Sequence, residues 1–100
     1  MSYDIRVDKR VVLIDLEGKI YVEDAALLRE RLIELINEGQ RQFVFNMQKA
    51  TYIDSSGLGV LVAIHKRALE MGGGIVVQGL QGAVKELFVM TRLNKVFDIR

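Results

Sequence analysis

The chain has 100 residues, half of them apolar, and its 14 basic and 13 acidic side chains leave a formal net charge of +1. This balance gives no indication of nucleic-acid or anionic-membrane binding, and the absence of cysteine excludes disulfides, thiolate chemistry and cysteine-based zinc sites. The longest uninterrupted apolar run, residues 60–64, is far shorter than the ~20 residues that span a bilayer, so we expect a single cytoplasmic domain over residues 1–100.

The first half of the chain predicts a hairpin, a helix and a strand. Residues 3–7 alternate weakly and residues 10–17 are apolar and β-branched, so we expect two antiparallel strands that turn at residues 8–9 and end at Gly18. A helix follows over residues 24–38, with acidic residues at its start and Gly39 as its stop. One stripe of that helix is apolar and comprises Leu28, Leu32, Leu35 and Ile36. Residues 43–47 predict a short third strand.

The second half alternates helices with short strands. We expect a helix over residues 55–71 that ends at the glycines 72–74, and a strand over residues 75–78. A third helix over residues 83–90, with Val84, Leu87 and Phe88 facing inward, precedes a last strand over residues 96–99.

This order predicts an α/β fold, because strands separated by helices run parallel and are joined by right-handed crossovers. The sheet is small and mixed, with an antiparallel opening hairpin, parallel strands thereafter and about three helices. Three helices for about five strands leave one sheet face poorly covered, and periodicity does not settle which face.

Catalytic and metal sites find little support in the residues. The only histidine, His65, lies ten residues after Ser55, roughly 15 Å along a helix, so the two cannot form a nucleophile–base pair within one chain. We expect His65 at the edge of the core and Glu23 with Asp24 at a helix start. No grouping has metal-ligand spacing, and the glycines 72–74 end a helix rather than open one, which favours a helix cap over a phosphate loop. We therefore expect no enzymatic activity, cofactor or metal.

The segment Asp54-Ser55-Ser56-Gly57 stands where a buried helix begins. Aspartate and serine are favoured helix N-caps, which is the simplest explanation for these residues. The same unpaired amides and the helix dipole also favour a phosphate at this place. A phosphoryl group adds about −1.5 to −2 charges, which would take the formal net charge from +1 to roughly −1. Gly57 and Gly59, which lack side chains, would let a partner's backbone approach closely.

The sequence I-D-S-S-G-L-G-V-L over residues 53–61 resembles the STAS domain of bacterial anti-sigma-factor antagonists. The resemblance extends over nearly the whole chain. It includes F-V-F-N-M before this motif and G-G-G-I-V-V after it, and also L-E-G-K-I near the start and V-K-E-L-F-V-M-T-R-L-N-K-V-F near the end. The resemblance implies a STAS-like sheet with helices mainly on one side.

The resemblance also implies a role in partner switching. The unphosphorylated antagonist binds an anti-sigma factor that is also a serine kinase, which frees the sigma factor for transcription. The kinase then phosphorylates the first hydroxyl after the aspartate, here Ser55, and dissociates from the phosphorylated antagonist. A serine phosphatase removes the phosphate, after which the antagonist can bind the kinase again. ATP and magnesium belong to the kinase. The partner-binding surface implied for this chain comprises Asp54, Ser55, Ser56, Gly57, Leu58 and Gly59, in a monomer or weak homodimer.

Two positions depart from the family pattern, and one other role stays open. Tyr21 stands where many members carry an acid, and Asn46 stands where aspartate is common. Ser56 is also a hydroxyl, so the choice of Ser55 rests on its position in the family motif. Alternatively, the chain is a STAS scaffold or interaction subunit of a larger signalling or transport complex, in which the same segment binds a partner without phosphorylation.

Overall fold

The structure, a computed structural model, describes residues 3–100. Strands and helices alternate along this part of the chain much as the sequence predicts. Their bounds are β1 (Tyr3–Asp8), β2 (Val11–Ile20), α1 (Val22–Asn37), β3 (Gln42–Ile53), α2 (Ser55–Glu70), β4 (Gly74–Gln78), α3 (Gly82–Met90) and β5 (Asp98–Ile99), with a short 3-10 helix (Leu93–Lys95) before β5.

The strands form one sheet in the order β1-β2-β3-β4-β5. β1 and β2 pair antiparallel, and each later pair is parallel, which confirms the predicted mixed sheet. The strand order follows the chain, and parallel crossovers are right-handed in nearly all proteins, which places α1, α2 and α3 on the same face of the sheet.

Burial along the strands identifies the covered face. Alternate residues of β2, β3 and β4 are buried against the helices, and they are Val12, Ile14, Leu16, Phe43, Phe45, Met47, Ile75 and Val77. The residues between them, including Leu13, Val44 and Val76, are only half-buried. The second face therefore carries no helix, which settles the question that periodicity leaves open.

The opening hairpin differs from the prediction in two details. The turn lies at Lys9 and Arg10, one residue later than expected, and Lys9 takes a left-handed conformation with φ of 58°. β2 does not end at Gly18 but continues to Ile20, with Gly18 at φ of 73° beside a register shift against β3. Gly18 accommodates an irregularity within the strand instead of closing it.

The other differences concern where elements begin and end. β3 is much longer than the predicted residues 43–47, and α1 begins two residues earlier than expected. α3 likewise begins one residue earlier, at Gly82. β5 is limited to two residues because the Val96 and Phe97 N–H groups donate to the Leu93 carbonyl of the preceding 3-10 turn. Gly39 and Gly72 follow the first two helices at φ of 98° and 84°, as expected for glycines that end helices.

Candidate functional site

The long β2–β3 ladder positions the beginning of α2 at the carboxyl edge of the sheet. The last pair between β3 and β4 joins Asn46 to Gln78, but β2 and β3 remain paired as far as Ile20 and Ile53. Directly after that pair, the Asp54 backbone N–H donates to the Ile20 carbonyl at 3.3 Å. The first turn of α2 is thus held at the end of two extended strands that reach beyond their neighbours.

Asp54 is the residue that caps α2, as the sequence predicts. One carboxylate oxygen of Asp54 accepts the Gly57 backbone N–H at 3.2 Å, and its carbonyl accepts the Leu58 N–H at 3.2 Å. Ser55 is the first helical residue and is exposed. Its hydroxyl makes no hydrogen bond to any residue between 3 and 100. Ser55 is therefore not needed for capping, and its oxygen is accessible from solvent.

The other residues of the predicted partner-binding surface divide between surface and core. Gly59 is exposed and Ser56 is half-buried, but Gly57 and Leu58 are buried. A Cβ atom on Gly57 would lie 2.5 Å from the Cγ1 atom of Ile53, whereas one on Gly59 would meet nothing within 4 Å. The absence of a side chain at Gly57 thus lets α2 pack onto the end of β3. Of the two glycines, only Gly59 is exposed to an approaching partner.

An aromatic pair that the sequence prediction missed lies at the same edge. The rings of Tyr21 and Tyr52 are tilted against each other with centroids 5.6 Å apart, and both side chains are 44–45% exposed. Tyr21 is the N-cap residue of α1, and Tyr52 pairs with Lys19 three residues before Ser55. Tyr52 could have been identified only by predicting that β3 continues beyond Met47. The ends of β2 and β3 are paired, and this pairing brings Tyr21 and Tyr52 together.

Tyr21 is fixed at this position by its own backbone. Its N–H donates to the Asp24 carboxylate at 3.1 Å, and its carbonyl accepts the Ala25 N–H at 2.9 Å. Asp24 therefore acts at the start of α1, where an acid also favours the helix dipole. Asn46, the second departure from the family pattern, accepts the Gln48 N–H with its side-chain oxygen at 3.1 Å.

His65 lies within the core and not near Ser55. Its side chain is 8% exposed, its Nδ1 accepts the Ile75 N–H at 3.2 Å, and its ring meets Phe97 edge-on at 5.0 Å. Burial lowers the pKa of His65 below its ordinary value, and a hydrogen bond with the Val96 backbone partly offsets this shift. Within residues 3–100, no three histidine or acidic side chains come together in a metal-binding group.

A match to the family model for the STAS domain covers residues 2–100. The chain belongs to the STAS domain family. A curated relative of similar length is the anti-sigma-B factor antagonist of Bacillus subtilis, which is 29% identical over 99% of this chain and 90% of its own length. None of the described helices is long and apolar enough to cross a membrane.

Solved structures of antagonists share this STAS fold. The crystal structure described as an anti-sigma factor antagonist from Thermotoga maritima superposes with a TM-score of 0.89 at 22% identity, covering 97% of this chain and 84% of that one. The Bacillus cell fate determinant SpoIIAA in its phosphorylated form gives 0.82 at 17% identity, covering 98% and 90%. Its unphosphorylated form gives 0.78 at 16% identity, covering 94% and 96%.

Proposed function

We propose that this chain is an anti-sigma-factor antagonist that works by partner switching in the cytoplasm. Unphosphorylated, it binds an anti-sigma factor that is also a serine kinase and thereby releases a sigma factor. Phosphorylated on Ser55, it dissociates from that kinase until a serine phosphatase removes the phosphate. The chain itself is a substrate and a binding module, and it needs no cofactor.

The observation that carries the proposal is the division of roles between Asp54 and Ser55. Asp54 caps α2 through the Gly57 amide, which leaves the Ser55 hydroxyl exposed and without a structural hydrogen bond. A kinase can therefore modify Ser55 without breaking a contact that holds the fold. The positive end of the helix dipole also favours the added negative charge at this position.

The surroundings of Ser55 explain how one phosphate could release a partner. The exposed rings of Tyr21 and Tyr52 lie beside the strand end that leads into Ser55, and tyrosines commonly anchor protein interfaces. A partner seated on this apolar surface would desolvate Ser55. A doubly charged group in a close interface costs several kcal/mol unless it is paired, and about 1.4 kcal/mol already changes affinity tenfold.

The likeness to proteins named as antagonists favours that role over a subunit of a larger complex. The Bacillus subtilis relative aligns with this chain along 90% of its own length, so the likeness extends to a whole antagonist. The scaffold alternative predicts a partner surface that does not depend on Ser55, whereas the switch predicts that charge at Ser55 controls binding.

The test is a pull-down from lysate of the organism that encodes the chain, with wild type, Ser55→Ala and Ser55→Asp as baits. We expect Ser55→Ala to retain a kinase-like partner that Ser55→Asp loses, because the added charge enters the interface. Mass spectrometry of the native protein should locate the phosphate on Ser55 and not on Ser56. Incubation of the captured kinase with ATP and wild-type bait should reproduce the same modification.

The matched control is Gln42→Glu, which adds one negative charge to an exposed residue at the opposite end of β3. This variant should capture the partner as well as wild type does. Equal capture by all three Ser55 baits would contradict the switch and favour the scaffold role. Phosphate found on Ser56 alone would contradict the choice of Ser55.

A further inference from the structure

The helix-free face of the sheet carries a row of side chains that runs across all five strands. The register aligns Arg6 of β1 with Leu13 of β2, then Val44, Val76 and finally Asp98 of β5. Partners at the same register level point to the same side of a sheet. The row therefore has three adjacent apolar residues in its centre, a cation at one end and an anion at the other.

The next row along the strands has the opposite order of charge. It begins with Asp4 of β1 and continues through Asp15, Asn46 and Gln78. Arg100 extends this row beyond β5, because its N–H donates to the Val77 carbonyl at 2.8 Å and its guanidinium contacts the Asp98 carboxylate at 2.9 Å. At opposite edges of the face, Asp4 thus lies level with Arg100. Arg6 likewise lies level with Asp98.

We propose that this face binds a second copy of the chain in a symmetric dimer. A twofold axis parallel to the strands would place β1 of one copy over β5 of the other and β3 over β3. Arg6 then meets Asp98 of the second copy, and Asp4 meets Arg100. Leu13, Val44 and Val76 of the two copies face one another in the centre.

The charge pattern is what selects a second copy as the occupant. Under that axis each of these four charges, Asp4, Arg6, Asp98 and Arg100, meets one of opposite sign, and each pair occurs twice, as a self-complementary interface requires. In the single chain these groups form exposed ion pairs, Arg6 with Asp4 and Asp15 and Arg100 with Asp98. Such surface pairs are held weakly, so they can exchange for contacts across the interface.

The size of the face predicts a weak, concentration-dependent dimer. Five strands about 4.8 Å apart make a face only about 19 Å wide. Because β4 is only five residues long, roughly 17 Å, the face that the central strands share covers roughly 320 Å², well below the about 800 Å² per partner of a standard stable interface. Ser55 lies at the carboxyl edge near the helix-covered face, so a dimer of this kind leaves it accessible. The inference is therefore independent of the proposed switch.

The experiment is sedimentation equilibrium of the full chain from micromolar to millimolar concentration at low salt. We expect a reversible monomer–dimer equilibrium for wild type. Arg6→Glu and Asp98→Lys should each raise the dimer dissociation constant about tenfold or more, because each places like charges opposite one another. The double variant should recover to within about threefold of wild type, because it exchanges the two charges of the same pair.

Two further variants complete the design. Val44→Lys places two cations together at the axis and should abolish the dimer. Glu30→Arg changes charge on the exposed surface of α1, on the helix-covered side, and should leave the dimer unchanged. Circular dichroism establishes that each variant is folded. A monomer at every concentration, a dimer indifferent to Val44→Lys and to both single reversals, or no recovery in the double variant would overturn the proposal.

Discussion

Gly57 and Gly59 are two residues apart on α2 but meet opposite surroundings. The Cβ of Gly57→Ala would lie 2.5 Å from Ile53 Cγ1 and 2.8 Å from its Cδ1. We expect this variant to lower the free energy of unfolding by about 1–3 kcal/mol, because overpacking forces the helix or Ile53 to move. The Cβ of Gly59→Ala would have no atom within 4 Å, and alanine favours the helix more than glycine does. This variant should therefore raise the free energy of unfolding by about 0.5–1 kcal/mol.

Urea unfolding followed by circular dichroism measures both glycine variants under the same conditions. Each substitution adds one methyl group to the same helix, so the comparison separates packing from helix propensity. Equal effects of the same sign would show that Ile53 does not constrain Gly57 in solution.

The residues that carry the candidate site were predictable in part. Asp54 at a helix start is typical of an N-cap, and the structure confirms that role. The sequence alone could not separate the two glycines, because the function of Gly57 depends on Ile53, which the prediction placed outside any strand. Tyr52 was missed for the same reason, since its contact with Tyr21 depends on β3 reaching the edge of the sheet.

His65 connects three elements, because it lies on α2, accepts a hydrogen bond from β4 and contacts Phe97 just before β5. Burial lowers its pKa in the native state, so the unfolded chain binds a proton at a higher pH than the native chain does. The stabilising contribution of neutral His65 is fully present above the unfolded pKa of about 6.5. It is lost as pH falls below that value and through the native pKa, because a protonated Nδ1 cannot accept the Ile75 N–H.

We therefore expect the free energy of unfolding to decrease as pH is lowered from about 7.5 to about 5.5, a range above the ordinary carboxylate pKa values. His65 is the only histidine in the chain, so His65→Asn should remove this slope, while its Oδ1, which takes the position of the histidine Nδ1, can still accept the Ile75 N–H. Urea unfolding at several pH values measures the slope of both proteins. A slope that persists in His65→Asn would show that another group causes it.

The strand order and the helix positions were easier to predict than the ends of the strands. Strong apolar alternation in β2 and the apolar stripe of α1 follow directly from burial on one face. The sequence of β3 does not show this alternation beyond Met47, because the next buried residues, Ala50 and Ile53, come at every third position. Two register shifts against β2 occur in the same part of the strand. A pattern with period two cannot detect a strand that contains such irregularities.

The whole molecule is near electrical neutrality, so a single phosphate changes its charge balance strongly. Phosphorylation of Ser55 would shift the formal net charge from +1 to roughly −1. We expect the fold to persist, because the Ser55 hydroxyl is exposed and makes no structural hydrogen bond within residues 3–100. The phosphate at the first position of α2 should raise the free energy of unfolding by about 0.3–1 kcal/mol through the helix dipole.

Protein carrying phosphoserine at position 55, made by incorporation during translation, allows this measurement without the kinase. Its urea unfolding curve is compared with that of the unmodified chain at low and high salt. Salt screens an exposed charge, so the gain in stability should shrink as ionic strength rises. A phosphorylated chain that unfolds more readily at low salt would mean that release of a partner follows from damage to the fold. An unchanged or more stable chain that no longer binds its partner would place the switch in the interface, because the charge then acts on association alone.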